Sequence, residues 1–296
     1  MPVRVSVVVP AYNAEKTLRE CLHALGAQSL AREEFEIIVV DDGSRDRTAQ
    51  IAEGFGAHVV RRIANGGPAA ARNTGWQEAQ GRWVAFTDAD CVPARTWLAE
   101  LLRVVESAAE SPALGAAGRT YGYESNTPAA RYVDLSGALD AERHLSHPRF
   151  PFAPSGNLMY RRDALVACGG FDERYHTYEA CELHQRIRRR DGGRFTYAPR
   201  AVVLHRHRAT WGAYWRQQYG YGIGYGQFMC HQASRIGWSF ADELRAWWDV
   251  LRAGLGACRP GNSERRLFDR GTFVKRLAQR TAFDVTYWNI AERARW

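Results

Sequence analysis

Asp88-Ala89-Asp90, which follows the apolar run Trp83-Val84-Ala85-Phe86 and Thr87, is the triplet in this chain with the most chemical promise. On a strand, residues i and i+2 project to the same side. If the strand continues, it delivers two carboxylates together where a buried segment emerges. Such a pair is costly without positive compensation. Mg2+ or Mn2+ is the natural partner, since these ions take one or two protein carboxylates and complete their shells with water and substrate phosphate. Surface turns also carry Asp-x-Asp, so the triplet gains weight only from its company.

That company is two further polar clusters at the ends of apolar runs: Pro10-Ala11-Tyr12-Asn13 and Asp41-Asp42-Gly43-Ser44. Asp41 or Asp42 could accept hydrogen bonds from a nucleobase or ribose; Asp-Gly-Ser is equally good turn and cap chemistry. Gly66-Gly67-Pro68 opens a helix with proline in its first turn. Free N–H groups there suit a diphosphate, and Arg72 adds a fork-shaped cation. An ordinary helix start with a solvated arginine fits the same residues. His205 and His207 flank Arg206, and strand spacing puts both on one side, either as a histidine pair on a basic edge or with one as a further metal ligand.

The elements that must position these groups alternate. Val3–Val9 and Phe35–Val40 read as strands buried on both faces, His58–Arg61 as a short strand, and Leu114–Arg119, Gly156–Tyr160 and Phe195–Leu204 as later ones. Between them lie helical patterns at Ala14–Ala27, Pro68–Gln77, Arg95–Glu106, Arg162–Ala167 and Tyr178–Arg189, with Asp46 as a cap for the helix running to Glu53. A βαβα order implies a mixed, mostly parallel sheet flanked by helices, and ligands outside its carboxyl ends. Residues 121–151 are irregular, a lid or acceptor-side insertion. After Thr210 no strand signal remains. The chain thus divides into a sheet domain over 1–208 and a helical, aromatic-rich region over 209–296.

Bulk properties narrow the classes. With 296 residues, 46% hydrophobic and 24% charged, the chain is too apolar for disorder. A net charge of +8 would suit nucleic acid, but the arginines are spread along the chain, so no nucleic-acid partner is expected. Anions such as phosphates, or an acidic membrane surface, fit better. Six cysteines without Cys-x-x-Cys spacing read as reduced thiols in the cytoplasm. No stretch approaches the roughly 20 apolar residues of a membrane span, so the expectation is a soluble or peripheral protein at the inner membrane face. Trp211, Tyr214, Trp215 and Tyr219, and Trp247-Trp248, read as core packing, as an interfacial helix serving a lipid-linked acceptor, or as a sugar-stacking platform. Gly220 to Gly226 is no dinucleotide loop, because no strand precedes it.

Together, Ser6–Asn13, Val39–Ser44, Ala71–Gly75, Thr87–Asp90, Gly156–Arg162 and Gly169–Glu173 resemble the family 2 glycosyltransferases of the GT-A fold. The resemblance covers residues 3 to about 207. It implies a metal-dependent enzyme that moves a sugar from a nucleoside-diphosphate donor to a glycan, lipid-linked or small-molecule acceptor, with inversion. By it, Pro10, Ala11, Tyr12, Asn13, Asp41, Asp42, Arg72, Asp88, Ala89 and Asn157 form the donor side, Asp90 holds Mn2+ or Mg2+, and His205 is a further ligand. Members that this chain resembles usually carry Glu-Asp followed by x-Glu-Leu or x-Asp-Leu on a late helix, the Asp of the pair being the expected general base. Here the segment reads Glu179-Ala180-Cys181-Glu182-Leu183. Alanine accepts no proton. Either Glu179 or Glu182 serves as base, or the chain is a donor-binding relative with weak transfer, or the acceptor needs little base assistance. A nucleotidyltransferase is disfavoured because the first strand leads into Pro-Ala-Tyr-Asn, not a glycine-rich phosphate loop.

Overall fold

A computed structural model describes residues 2–107, 113–236 and 240–293. The first strands follow from their β-branched runs. β1 (Val5–Ala11), β2 (Phe35–Asp41) and β3 (His58–Arg61) pair in parallel, connected by α1 (Leu18–Gly26) and α2 (Thr48–Gly54). α3 (Pro68–Glu78) then carries the chain back across, so that β4 (Trp83–Phe86) pairs with the other side of β1. The order of the eight-stranded sheet is β3-β2-β1-β4-β7-β6-β8-β5. β1 and β4 therefore flank the switch in strand order, where open sheets leave a crevice at their carboxyl ends.

The remaining strands make the sheet mixed. β7 (Leu158–Arg161) is antiparallel to β4 and to β6 (Ala113–Gly122), while β8 (Arg194–His205) is parallel to β6. The three-residue β5 (Cys91–Pro93) closes the edge antiparallel to β8. β8 is a single strand of 12 residues, longer than the Phe195–Leu204 expected, with its register broken between Ala198 and Val202. Pro199 sits in that break, where a missing N–H costs the ladder nothing.

Alternation assigns each strand residue to one of two cores. Val5, Val7, Val9, Ile37, Val39, Trp83 and Ala85 pack with α1 and with α4 (Trp97–Glu106). Val8, Ile38, Val40, Val84 and Phe86 pack with α3, α7 (Arg162–Cys168) and α8 (Glu179–Asp191). A strand buried on both faces needs apolar residues at every position, which explains the unbroken runs. Each fully buried Val, Leu, Ile or Phe contributes about 1.5–3 kcal/mol.

By contact the chain forms two compact units. The first comprises residues 1–123, 139–174 and 179–206, including α6 (Ala141–Leu145); the second comprises 124–138, 175–178 and 207–296. The second unit is helical: α5 (Pro128–Leu135), α9 (Trp211–Ile236), α10 (Phe240–Ala257) and α11 (Ser263–Arg293). Tyr132, Trp211 and Tyr214 form an aromatic cluster inside it. The glycine run lies within α9, where a Cβ on Gly222 would come within 2.3 Å of the Gln279 carbonyl on α11. Glycine there lets two helix backbones approach closely.

Candidate active site

The register brings the polar clusters to one rim. Ala11 pairs with Asp41 and Val8 with Phe86, so the ends of β1, β2 and β4 lie side by side. β7 begins at Leu158 opposite Phe86, which sets Ser155–Asn157 on the same rim, and β6 and β8 finish there with Gly122 and His205 paired.

At this rim Asp42 is buried and its carboxylate is saturated. It accepts from Gly66 N at 3.0 Å, Gly67 N at 2.9 Å and the Arg62 Nε at 2.7 Å, which fastens the glycine loop to the end of β2. Asp41 accepts from Ser44 N at 3.0 Å and shapes the turn. Asn13, at φ 49°, donates its N–H to the Ser44 hydroxyl and accepts from Arg45 N. Pro10 is partly exposed, Ala11 buried, and Tyr12 exposed at the mouth of the switch. Arg47, not Asp46, is the N-cap of α2; Asp46 precedes it and accepts from Thr48 N, the first amide of the helix, at 3.0 Å.

The acidic triplet departs from the strand geometry expected of it. β4 stops at Phe86, and Cys91 N donates to the Asp88 carbonyl at 3.0 Å, closing a turn in which Ala89 is buried. A turn does not keep the period of two, so the carboxylates find different partners. Asp88 accepts from Arg72 at 2.8 Å. Asp90 Oδ1 lies 3.5 Å from His205 Nε2. A Cβ at position 156 would sit 2.9 Å from Asp88 Oδ2, so glycine there leaves that carboxylate its place.

Arg72 is buried, with one nitrogen on Asp88 and another on Glu179 Oε1 at 2.8 Å. Burial works to lower its pKa, but Asp88 and Glu179 outweigh that and hold it above the ordinary value. Its fork is thus engaged by two carboxylates. Asn157 is buried as well: its oxygen accepts from Trp97 Nε1 at 2.8 Å, and its nitrogen donates to the Arg119 and Ala201 carbonyls. The amide therefore ties α4 to β6 and β8.

The start of α8 holds the expected base position. Ala180 is buried in the apolar cluster of the α3 face. Glu179 also accepts from the Ser155 hydroxyl at 3.3 Å. Glu182 is closed by Arg186, with contacts of 2.7 and 2.8 Å, and Arg186 in turn donates to the Cys168 and Gly170 carbonyls.

Asp90 and His205 suit a divalent ion. Their 3.5 Å separation is longer than a normal hydrogen bond. It approaches the roughly 3.0–3.4 Å between two ligands on one ion whose bonds are about 2.1 Å. Asp90, Cys91 and His205 present three ligand atoms within 4.8 Å of one another. Burial, then the charges of Asp88 and Asp90, push the Cys91 thiol well above its ordinary pKa.

The family model for glycosyl transferase family 2 matches residues 6–169, more than half the chain. The chain belongs to this family. A glycosyltransferase from Haloferax volcanii, AglE, is 28% identical over 249 residues, covering 82% of this chain and 79% of that protein. The pre-mycofactocin glycosyltransferase of Mycobacterium tuberculosis is 35% identical over 212 residues, 69% of this chain but only 43% of that protein. Among solved structures, the mannosyltransferase PcManGT of Pyrobaculum calidifontis, in complex with GDP-Man and Mn2+, superposes with a TM-score of 0.67 at 20% identity, over 98% of this chain and 90% of that one. Glucosyl-3-phosphoglycerate synthase of Mycobacterium tuberculosis, in complex with Mn2+ and UDP, gives 0.54 at 22% identity, over 80% and 81%. The mixed sheet and its helices are the GT-A fold these structures share, and this glycosyltransferase is an enzyme of that architecture.

Three residues that contact the candidate site residues escape a reading of the sequence: Arg62, which holds Asp42; Ser155, which reaches Glu179; and Cys91, which faces His205. Only Cys91 carries a sequence signal, its place next to Asp90.

Proposed function

We propose that this glycosyltransferase moves a sugar from a nucleoside-diphosphate donor to an acceptor hydroxyl with inversion, and that Asp90 and His205 hold Mn2+ or Mg2+. The observation that carries the reading is the pairing of Asp90 and His205 at a ligand-like separation of 3.5 Å, on the rim that also gathers Asp41, Asp42 and Asp88. The GDP-Man, UDP and Mn2+ complexes of the two structural neighbours support it. An ion held there supplies Lewis-acid stabilisation for charge developing on the leaving diphosphate. Tyr12 and the Asp42-fastened glycine loop border the nucleoside, and Asp88, oriented by Arg72, faces the ribose and diphosphate. Nucleoside-diphosphate release, measured over a panel of nucleotide sugars with and without manganese, tests the reading; release indifferent to chelation overturns it. Inversion is read separately from the anomeric proton coupling of the product.

The acceptor proton is the weak point. Of the two glutamates, Glu179 is tied through Arg72 to the donor side, so it is our choice of base. A second reading, a donor-binding relative with weakened transfer, is favoured by Ala180. Donor affinity alongside a turnover that acceptor screening does not raise would select it.

We assign catalysis to residues 1–208 and acceptor or membrane contact to 209–296. No helix among the described residues is long and apolar enough to cross a membrane. On α10, however, Leu244, Trp248, Leu251 and Leu255 recur at i, i+4, i+7 and i+11, each at least 56% exposed. At about 100° per residue they share one narrow face. Exposed Arg245 and Arg252 line one edge of that face. A second copy with the same +8 charge would be repelled, whereas an anionic bilayer complements both the stripe and the cations. Such contact would bring the enzyme to a lipid-linked acceptor at the cytoplasmic face. Flotation with phosphatidylglycerol vesicles checks it: binding lost in Trp248→Glu is expected, and absence of binding by the parent protein removes it.

A further inference from the structure

We propose that the corner formed by Asp90, Cys91 and His205 is a thiophilic-metal site, which takes Zn2+ with the Cys91 sulfur as a ligand and in doing so excludes the ion that serves transfer. The binding claim stands on the corner alone; the claim of competition rests on the transferase reading.

The geometry is built by the backbone. Cys91 and His205 are direct partners in the antiparallel pairing of β5 with β8. Directly opposite residues carry their side chains on the same side, with Cβ atoms about 4.5–5.5 Å apart. Asp90 is fixed in the adjoining turn, where its carbonyl accepts from Arg206 N at 3.0 Å. A sulfur, an imidazole nitrogen and a carboxylate oxygen therefore converge within 4.8 Å from three independently anchored positions.

Access and chemistry favour a soft ion. Asp90 and His205 are partly open, with 23% and 14% of their side chains exposed, while Cys91 forms the floor at 1%. An ion entering between carboxylate and imidazole meets the sulfur beneath them. Oxygen-preferring Mg2+ gains nothing from that sulfur. Zn2+ does, since its tetrahedral sites combine sulfur, nitrogen and oxygen ligands, and thiolate donors select soft metals. Bonds of about 2.3 Å to sulfur and 2.0–2.1 Å to nitrogen imply a sulfur-to-nitrogen separation near 3.5 Å. That separation falls within the 4.8 Å that encloses the three ligand atoms. On binding, the Cys91 S–H bond breaks, its proton passes to the buffer, and the metal–sulfur bond forms without any change of oxidation state.

The test uses Co2+ as a visible probe and Zn2+ as competitor, on the full chain with no sugar donor present. One equivalent of Co2+ should produce a thiolate-to-cobalt charge-transfer band, which Zn2+ displaces. In Cys91→Ser the band should vanish and Zn2+ affinity fall roughly 10- to 100-fold, while Cys258→Ser, at an exposed thiol, changes neither. Proton release per Zn2+ should drop by one in Cys91→Ser. Absence of the band, or a band that survives Cys91→Ser and is lost in Cys258→Ser, overturns the proposal. If the band forms in a protein that transfers no sugar, the metal site stands and the transferase reading fails.

Discussion

The rim of the sheet and the start of α8 treat their carboxylates in opposite ways. On the rim, Asp90 and Asp88 keep part of their surface open while a histidine and an arginine hold them in position. At α8, Glu179 and Glu182 are closed in by arginines, and Ala180, between them in sequence, lies in the apolar core with no carboxyl at all. The rim is fixed by strand register, which many backbone hydrogen bonds share. The end proposed to handle the proton depends on single helix positions, which one substitution can empty. On the proposed assignment, donor binding rests on the robust half of the site and turnover on the exposed one.

Four changes would break or sharpen that contrast. The largest effect is expected from Ala180→Asp. A positioned base is worth roughly 10²–10⁴-fold; the helix terminus favours an acidic residue in the first turn of α8, while burial of position 180 in the apolar cluster lowers the variant's stability. Turnover with a true acceptor should rise toward that range with donor affinity unchanged; an unchanged rate would mean that position 180 is not where the proton goes. Arg72→Met comes next, because it strands Glu179 as a buried, unpaired charge. Urea denaturation should show a loss of about 3–5 kcal/mol, and Arg72→Met combined with Glu179→Leu should recover much of it.

Asp90→Asn probes the rim alone. It should lower kcat/KM about 10²–10³-fold, leave stability near that of the parent, and abolish the response to added manganese. The smallest effect concerns pH. His184 lies on α8 one turn after Ala180, edge-on to Phe195, and burial, aided by Arg188, lowers its pKa to about 4. Between pH 6.5 and about 4 the unfolded chain binds a proton that folded His184 refuses. Its contribution is thus complete above pH 6.5 and is lost on acidification, amounting to about 2–3 kcal/mol by pH 4.5. His184→Phe should flatten that slope in urea midpoints taken at pH 7 and 4.5, without altering metal response at the rim.

Much of the rim was legible because it follows from periodicity. Val5 to Val9 and Ile37 to Val40 announce strands covered on both faces, and a strand's carboxyl end is where polar residues such as Asp41 and Asp88 gather. The pairing of Asp90 with His205, residues 115 positions apart, was expected from resemblance rather than from spacing. What stayed hidden was decided by tertiary partners. Strand spacing put Asp88 and Asp90 on one side, but a turn separated them. Arg72 reads equally well as a phosphate fork or as a solvated arginine; only the fold places two carboxylates against it. The grouping of residues 124–138 and 175–178 with the C-terminal helices has no local signature either, since contact defines it. Trp211 and Trp248 carry the same side chain, yet the first joins a buried aromatic cluster and the second lies open to solvent.

Arg72 divides one positive charge between Asp88 and Glu179. A ligand that draws Asp88 toward itself leaves more of that charge to Glu179, and a ligand that engages Glu179 returns it to Asp88. The two ends of the site are thereby thermodynamically linked, and linkage is reciprocal: whatever factor one event imposes on the other is imposed back in equal measure. A single buried guanidinium thus makes each end of the site answer for the occupancy of the other.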